Sequence, residues 1–212
     1  MGVGLRLALA AGGGYLFGAI QSADIASRLV TKGAIDVRSS GTGNPGGTNA
    51  RRVLGPGPGY AVVLADIAKG FVACAWGRRC ADDRGAHVAG VAAVVGHCYP
   101  LWAGFRGGKG VATSFGQCGY TFPAWAPVDL ALGMGVARIP GLRRPALVSV
   151  CVSSTAWLSA SVVWWRRGLP NLWGPPATAA LPLANAATLL VIASRAIAMI
   201  RKGEPDELAV PR

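Results

Sequence analysis

Acid, histidine and paired cysteine are what this chain has least of. Nine Asp and Glu stand against 21 Lys and Arg, and charged residues of both signs fill only 14% of 212 positions. The two histidines, His87 and His97, belong to no HExxH pattern and no His/Cys cluster, so a tightly held transition metal is not expected. Five cysteines, odd in number and never spaced CxxC, give neither a disulfide framework nor a zinc site; Cys74, Cys80, Cys98, Cys118 and Cys151 read as small packing residues. Position six is arginine, so the opening "MGVGLR" lacks the hydroxyl that N-myristoylation requires. The stretch "LALAAGGGYLFGAI" runs on without a polar cleavage region, which argues for a retained first helix over 4–27 and against a removable signal. Internal repeats, coiled-coil heptads and low-complexity tails are also missing.

What is plentiful is apolar surface. Hydrophobic residues make up 52% of the chain and the mean hydropathy is +0.41, values that suit a polytopic membrane protein better than a water-soluble domain. Apolar runs recur at about 4–27, 59–77, 86–105, 110–123, 125–137, 146–165 and 177–200. A full span takes about 20 residues, so the fourth and fifth runs are short: a tight hairpin, tilted helices or one bent helix. The expected fold is all-α, a single membrane-embedded helical bundle over 1–212 with five to seven crossings, seven being the preferred count.

The net charge of +12 sits in short segments between the runs and forms no long basic face. Anionic lipid and anionic substrates account for it better than nucleic acid does. With the N-terminus outside and seven crossings, fourteen cations fall on inner segments, among them Arg28, Arg52, Lys109, Arg144, Arg195 and Arg212; six (Arg6, Arg78, Arg79, Arg84, Arg166, Arg167) fall on outer ones. Arg166 and Arg167 run against the trend. Trp164, Trp165 and Trp173 gather near the same outer boundary and read as an interfacial aromatic belt. This topology brings 31–58 and 104–110, both rich in glycine and cations, to one side, where they could form one pocket.

Neither glycine segment is a nucleotide fingerprint. "GTGNPG" (41–46) satisfies GxGxxG and Asp66 comes twenty residues after Gly46, but a membrane span precedes it where the dinucleotide motif needs a buried strand. "GGKG" (107–110) has Ala103 and Gly110 where a P-loop needs Gly and a Ser or Thr. Both remain compatible with a phosphate cradle, since glycine lets backbone N–H groups approach an anion and a neighbouring cation neutralises it. Asp66 and Lys69 in "DIAKG" share a helix face inside an apolar run, so they should pair or line a wet cavity. His97 could serve as a general base or as a hydrogen-bond partner holding the glycine loop next to it in the chain.

Together "DVRSSGTGNPGGTNARRVLG" (36–55), "DIAKG" (66–70) and "GHCYPLWAGFRGGKGVATSFG" (96–116) resemble, in order and spacing, the signature segments of PlsY-type acyl-phosphate:glycerol-3-phosphate acyltransferases. The likeness is close over about 15–116 and rests on hydropathy elsewhere. It implies a multi-pass protein of the bacterial inner membrane, and with the orientation read from the cations the N-terminus is outside and the C-terminus and active site are cytoplasmic. It further implies transfer of an acyl group from acyl phosphate to the 1-hydroxyl of sn-glycerol 3-phosphate, giving lysophosphatidic acid and phosphate, with no cofactor, no metal and no nucleic acid. Nothing in the residues sets an oligomeric state.

Mapped onto this chain, the resemblance implies catalytic roles for Thr42, Arg52, His97 and Lys109. Substrate binding would fall to Gly41, Gly43, Asn44, Gly46, Thr48, Asn49, Asp66, Lys69, Gly107, Gly108 and Gly110. Three departures stand out. Thr42 replaces the family's serine; "GAIQ" (18–21) replaces GSIP; and "ASRAIAMIRKGEP" (193–205) has Ala193 and Ala196 where a His-Arg-x-Asn segment places His and Asn. Of the family's Gly-Thr-Glu after that segment, only Gly203 and Glu204 have counterparts. A catalytically impaired relative that binds phospholipid or glycerol phosphate, or partners another membrane enzyme, is the alternative reading. An anion transporter is a third.

Overall fold

The computed structural model describes residues 1–203, 206 and 208, and among these every regular element is helical. Glu204 and Arg212 lie outside the described residues. The helices are α1 (Val3–Ala19), α2 (Ser22–Thr31), α3 (Gly47–Leu54), α4 (Pro56–Cys98), α5 (Val111–Thr121), α6 (Ala126–Ala137), α7 (Pro145–Arg167) and α8 (Ala180–Arg201), with a 3-10 turn at Leu101–Ala103.

Helix α4 is a hairpin. Its chain reverses at Ala81 (φ −146°, ψ 38°) and Asp82 (φ 53°, ψ −148°), giving arms 56–80 and 83–98 that match the apolar runs expected at 59–77 and 86–105. Gly77 and Gly85 face each other where the arms meet, and a Cβ on either would strike the other's carbonyl oxygen. Small residues at such crossings let helix backbones touch in an apolar solvent. Arg6 of α1 caps the reversal, with Nε donating to the Cys80 carbonyl at 2.7 Å and Nη2 3.1 Å from Asp82.

The contacts at helix ends fix a back-and-forth path. The start of α1 lies beside the α4 reversal, while farther along Tyr15 donates to the Tyr99 carbonyl (2.9 Å) and accepts from Leu101 N–H (2.9 Å). The start of α5 packs where Gly110 meets Val94, Cys98 and Ile192; its last carbonyl, on Thr121, accepts from Asn171 at 3.0 Å. Helix α6 returns along α7, with Ser149 Oγ donating to the Gly133 carbonyl at 2.6 Å. Among the described residues four segments are long and apolar enough to cross a membrane, 3–31, 56–103, Pro145–Arg167 and Ala180–Arg201, and the second contains the two arms of α4. Helices α5 and α6, of 11 and 12 residues, are each shorter than a full span. The short fourth and fifth runs are thus two separate helices that pack mainly on different neighbours, α5 on α4 and α6 on α7.

One expectation needs correction. The first helix is not continuous over 4–27: Ile20 (ψ 117°) and Gln21 (ψ 88°) leave helical geometry, and α2 begins afresh at Ser22. With Ile25, Leu29 and Val30 exposed and Asp24 and Arg28 on the same short helix, α2 has the character of an interfacial segment. Trp164 of the expected aromatic belt is half-buried. It packs edge-on against Phe122 (5.3 Å) and Trp125 (6.1 Å) and donates to the Pro170 carbonyl, whereas Trp165 and Trp173 are exposed.

Candidate active site

The break between α1 and α2 is where the site begins. A helix interrupted at Ile20 leaves that residue's carbonyl without its helical donor, and Lys69 fills the role, its Nζ 2.7 Å from the Ile20 oxygen. The same ammonium lies 2.7 Å from Asp66 Oδ1, which also accepts from Ser22 Oγ at 2.8 Å. Behind this pair, His97 Nδ1 is 3.7 Å from the same carboxylate oxygen. The Asp66 and Lys69 side chains are 3% and 6% exposed. Such burial is tolerable in a membrane protein because each of the two charges has the other as a partner, with Ser22 and the Ile20 carbonyl adding a hydrogen bond to each.

The first glycine segment is shaped by Asn49. Its Oδ1 accepts from Thr42 N–H (2.8 Å), and its Nδ2 donates to the carbonyls of Val37 (2.9 Å) and Ser40 (3.0 Å). Gly41 and Gly43, at φ +63° and +73°, take the left-handed turns this wrapping needs. Thr42 Oγ1 accepts from Asn44 N–H at 3.4 Å. The amide expected to bind a ligand is therefore committed to the loop's own backbone.

The second glycine segment is held on two faces. Gly107 and Gly108 donate their N–H groups to the carbonyls of Cys98 (3.0 Å) and His97 (3.1 Å). Their own carbonyls accept from Arg195 of α8, Nη2 to Gly107 at 2.6 Å and Nε to Gly108 at 3.2 Å. Arg195 also stacks over the Tyr99 ring at 5.7 Å, and Tyr99 shares a hydrogen bond with Ser194 Oγ at 2.8 Å. A side chain on Gly108 would collide with the His97 ring, and one on Gly107 with Pro100 Cδ and the Cys98 carbonyl carbon. The glycines serve close approach here, and their N–H donors hold the loop to α4.

Arg38 joins the two segments. It forks onto Asp24 at 2.7–3.1 Å, reaches Gln21 Oε1 at 3.2 Å and donates to the carbonyl of Arg106. What the two loops enclose is a cavity of about 430 Å³ whose polar wall is built by Asn44, Thr48, Asp66, His97 and Lys109. Gly46 and Gly47 at the start of α3, and Gly110 and Val111 at the start of α5, also line it. Two helix N-termini with their outward N–H groups thus open on one space, an arrangement that favours anions. Most of the remaining lining is apolar and runs between α5, α6, α7 and α8, past Leu130, Met134, Leu147, Val150 and Ile192 to Trp157, with Asp129, Ser149, Ser153 and Ser154 as polar members along it.

A model of the family described as glycerol-3-phosphate acyltransferase matches residues 8–202. The chain belongs to the glycerol-3-phosphate acyltransferase family. Proteins called glycerol-3-phosphate acyltransferase share 39% identity over 157 residues in Halalkalibacterium halodurans, covering 72% of this chain and 74% of that one. In Erythrobacter litoralis the identity is 36% over 195 residues, covering 90% and 89%. The crystal structure of PlsY (YgiH), an integral membrane glycerol 3-phosphate acyltransferase in its glycerol 3-phosphate form, superposes with a TM-score of 0.72 at 26% identity over 94% of each chain. Its lysophosphatidic acid form gives 0.69 at 25% identity over 96% of this chain and 93% of that one. The family match extends through α8, well beyond the 15–116 stretch on which the sequence resemblance rests.

Against this geometry the expected site residues divide into three groups. Asn44, Gly46, Thr48, Asp66, His97, Lys109 and Gly110 line the cavity. Gly41, Thr42, Gly43, Asn49, Lys69, Gly107 and Gly108 stand behind them and shape the walls through their hydrogen bonds and close contacts. Arg52 is exposed on α3 and is not among the cavity's lining residues. Arg38 and Arg195, which brace the two loops, were not singled out from sequence; each looks there like any other cation at a membrane boundary.

Proposed function

We propose that the polar end of the cavity binds glycerol 3-phosphate and the phosphoryl group of an acyl phosphate, while the donor's chain lies in the apolar trough. On this reading the chain is an acyltransferase that makes lysophosphatidic acid. One observation carries it: two glycine segments some sixty residues apart contribute Asn44, Gly46 and Thr48 on one side and Lys109 and Gly110 on the other to a single cavity that continues as an apolar groove.

The chemistry needs no more than such a cavity offers. Acyl phosphate is a mixed anhydride. The 1-hydroxyl oxygen of glycerol 3-phosphate bonds to the acyl carbon, the bond from that carbon to the phosphate oxygen breaks, and inorganic phosphate leaves with the electron pair. Lys109 and the N-termini of α3 and α5 stabilise the negative charge gathering on the departing phosphate, and the rigid loops hold the reactants in line. His97, on the cavity wall, takes the hydroxyl proton, and Asp66 lies behind its Nδ1. Support for that role comes from the ring's place on the cavity wall and the 3.7 Å separation from Asp66.

The membrane is the bacterial inner membrane, with the glycine loops on the cytoplasmic side and the N-terminus outside. What supports this orientation is the excess of cations on the segments at the glycine-loop end. The deciding experiment mixes purified protein, acyl phosphate and labelled glycerol 3-phosphate. Lysophosphatidic acid and phosphate should appear in equal amounts, with Lys109→Ala and His97→Ala losing turnover while remaining folded; no product from the unaltered chain refutes the reading. A second reading, a silent binder, is favoured by Ala196, which lines the cavity where the family resemblance places asparagine. That reading predicts binding of glycerol 3-phosphate without product.

A further inference from the structure

The trough contains one group an acyl chain should not meet. Asp129 lines the cavity from the first turn of α6, its Oδ1 is buried without a hydrogen-bond partner, and no ion pair reaches it among the described residues. A first-turn acid suits the helix dipole. That accounts for the residue type, yet it leaves the buried oxygen unsatisfied in an apolar surrounding, which is costly.

Its depth is set by the pairing of α6 with α7. Gly133 accepts from Ser149 and faces Ser153, so Asp129, one turn nearer the start of α6, is level with Ser153 to Trp157 on the antiparallel α7. The cavity's lining on α7 runs from Arg144 to Trp157, roughly 20 Å of helix at 1.5 Å per residue. No α6 residue before Asp129 and no α7 residue after Trp157 lines the cavity. Ser153 and Ser154 line it at the same level. The end of the trough farthest from Lys109 is therefore a carboxyl and two hydroxyls around one indole, where a methyl terminus would lie against a carboxyl group.

We propose that Asp129 is a specificity-determining residue that sets the longest acyl chain the trough accepts. The inference rests on the acyl-transfer reading of the cavity. Burying each further methylene contributes about 0.8 kcal/mol, or about fourfold in kcat/KM, until the chain's end reaches the carboxyl, where further length is penalised.

The test is a series of saturated acyl phosphates of increasing length, with kcat/KM measured for the unaltered protein, Asp129→Leu and Asp129→Asn. The unaltered protein should peak at one length and decline beyond it. Asp129→Leu should keep gaining about fourfold per methylene past that peak, and Asp129→Asn should keep a shallower maximum. Peaks at the same length in the unaltered protein and Asp129→Leu overturn the proposal. A second measurement does not need turnover: binding of lysophosphatidic acids with brominated chain ends, read as quenching of Trp157 against a Trp157→Phe control. Quenching should reach Trp157 only with Asp129→Leu, and equal quenching in both proteins also overturns the proposal. Absence of product at every chain length would instead refute the proposed activity and leave the binding measurement to decide the role of Asp129.

Discussion

Replacing Lys69 by methionine isolates the energetics on which the site is built. The ammonium is 2.7 Å from Asp66 Oδ1 and 2.7 Å from the Ile20 carbonyl, and both charged side chains are almost wholly buried. Lys69→Met keeps most of the volume but leaves a buried carboxylate with the Ser22 hydroxyl as its one hydrogen-bond donor and frees the Ile20 carbonyl at the helix break. Breaking one side of a buried pair costs about 3–5 kcal/mol, and for a chain of this size that lowers the thermal midpoint by on the order of 10 °C. Removing both charges, as in Asp66→Leu with Lys69→Met, abolishes the uncompensated charge but not the orphaned carbonyl. A residual loss of about 1–3 kcal/mol is expected. The double variant should then be more stable than the single one and still inactive, because Asp66 borders the cavity and backs His97. Unfolding followed in detergent, with acyl transfer assayed in parallel, gives both readouts, and a double-mutant cycle supplies the coupling energy. A Lys69→Met protein within about 1 kcal/mol of the parent, or a double variant as unstable as the single, would refute the argument.

Arg195→Ala removes two charge-assisted bonds to the carbonyls of the loop that carries Lys109; a loss near 2 kcal/mol is roughly thirtyfold in kcat/KM, and Arg195→Lys should recover only part of it because an ammonium cannot fork across two carbonyls. Asn49→Ala breaks three bonds of the first glycine segment, so limited proteolysis should cut near residues 37–43 while the membrane helices stay intact. Gly116→Ala pushes a methyl group against the Ile67 carbonyl and the Phe71 amide where α5 crosses α4; overpacking of about 1–3 kcal/mol should appear as a lower midpoint with reduced turnover.

The passes were legible in the sequence because the bilayer imposes a single requirement, continuous apolar surface, and each run meets it in its own residues. The reversal of α4 was legible for the same reason: "RRCADDR" is too polar to lie in hydrocarbon. The break at Ile20–Gln21 was not. Neither residue is glycine or proline, and what sustains non-helical backbone there is a lysine almost fifty positions away that takes over the Ile20 carbonyl. The meeting of the two glycine segments came from topology, and the cavity bears it out. Which groups would face the ligand could not be read the same way, since an asparagine that wraps its own loop and one that opens on a cavity carry the same side chain. Asn49 and Asn44 are five residues apart and do these two different things. Arg51 and Arg52 are likewise indistinguishable in sequence, and neither lines the cavity; Arg51 stacks on Tyr60 at 6.0 Å.

Irregular backbone at the end of a membrane bundle must have its own N–H and C=O groups satisfied before it can offer any to a ligand. In this chain that requirement consumes Asn49, the amides of Gly107 and Gly108, and the guanidinium groups of Arg38 and Arg195. The altered end of α8 takes on a specific meaning in this light. Ala193 and Ala196 remove polar groups, but between them Ser194 ties Tyr99, and Arg195 ties the very loop that presents Lys109. Helix α8 therefore holds the second glycine segment through Arg195, with Ser194 on the neighbouring Tyr99. Ala196 lines the cavity and offers it no polar group, where the family resemblance implies an asparagine. The expected consequence is weaker grip on glycerol 3-phosphate with an intact loop, a rise in KM larger than any fall in kcat, and Ala196→Asn should reverse it. An Ala196→Asn protein whose KM for glycerol 3-phosphate is unchanged would mean that α8 acts on the loop alone.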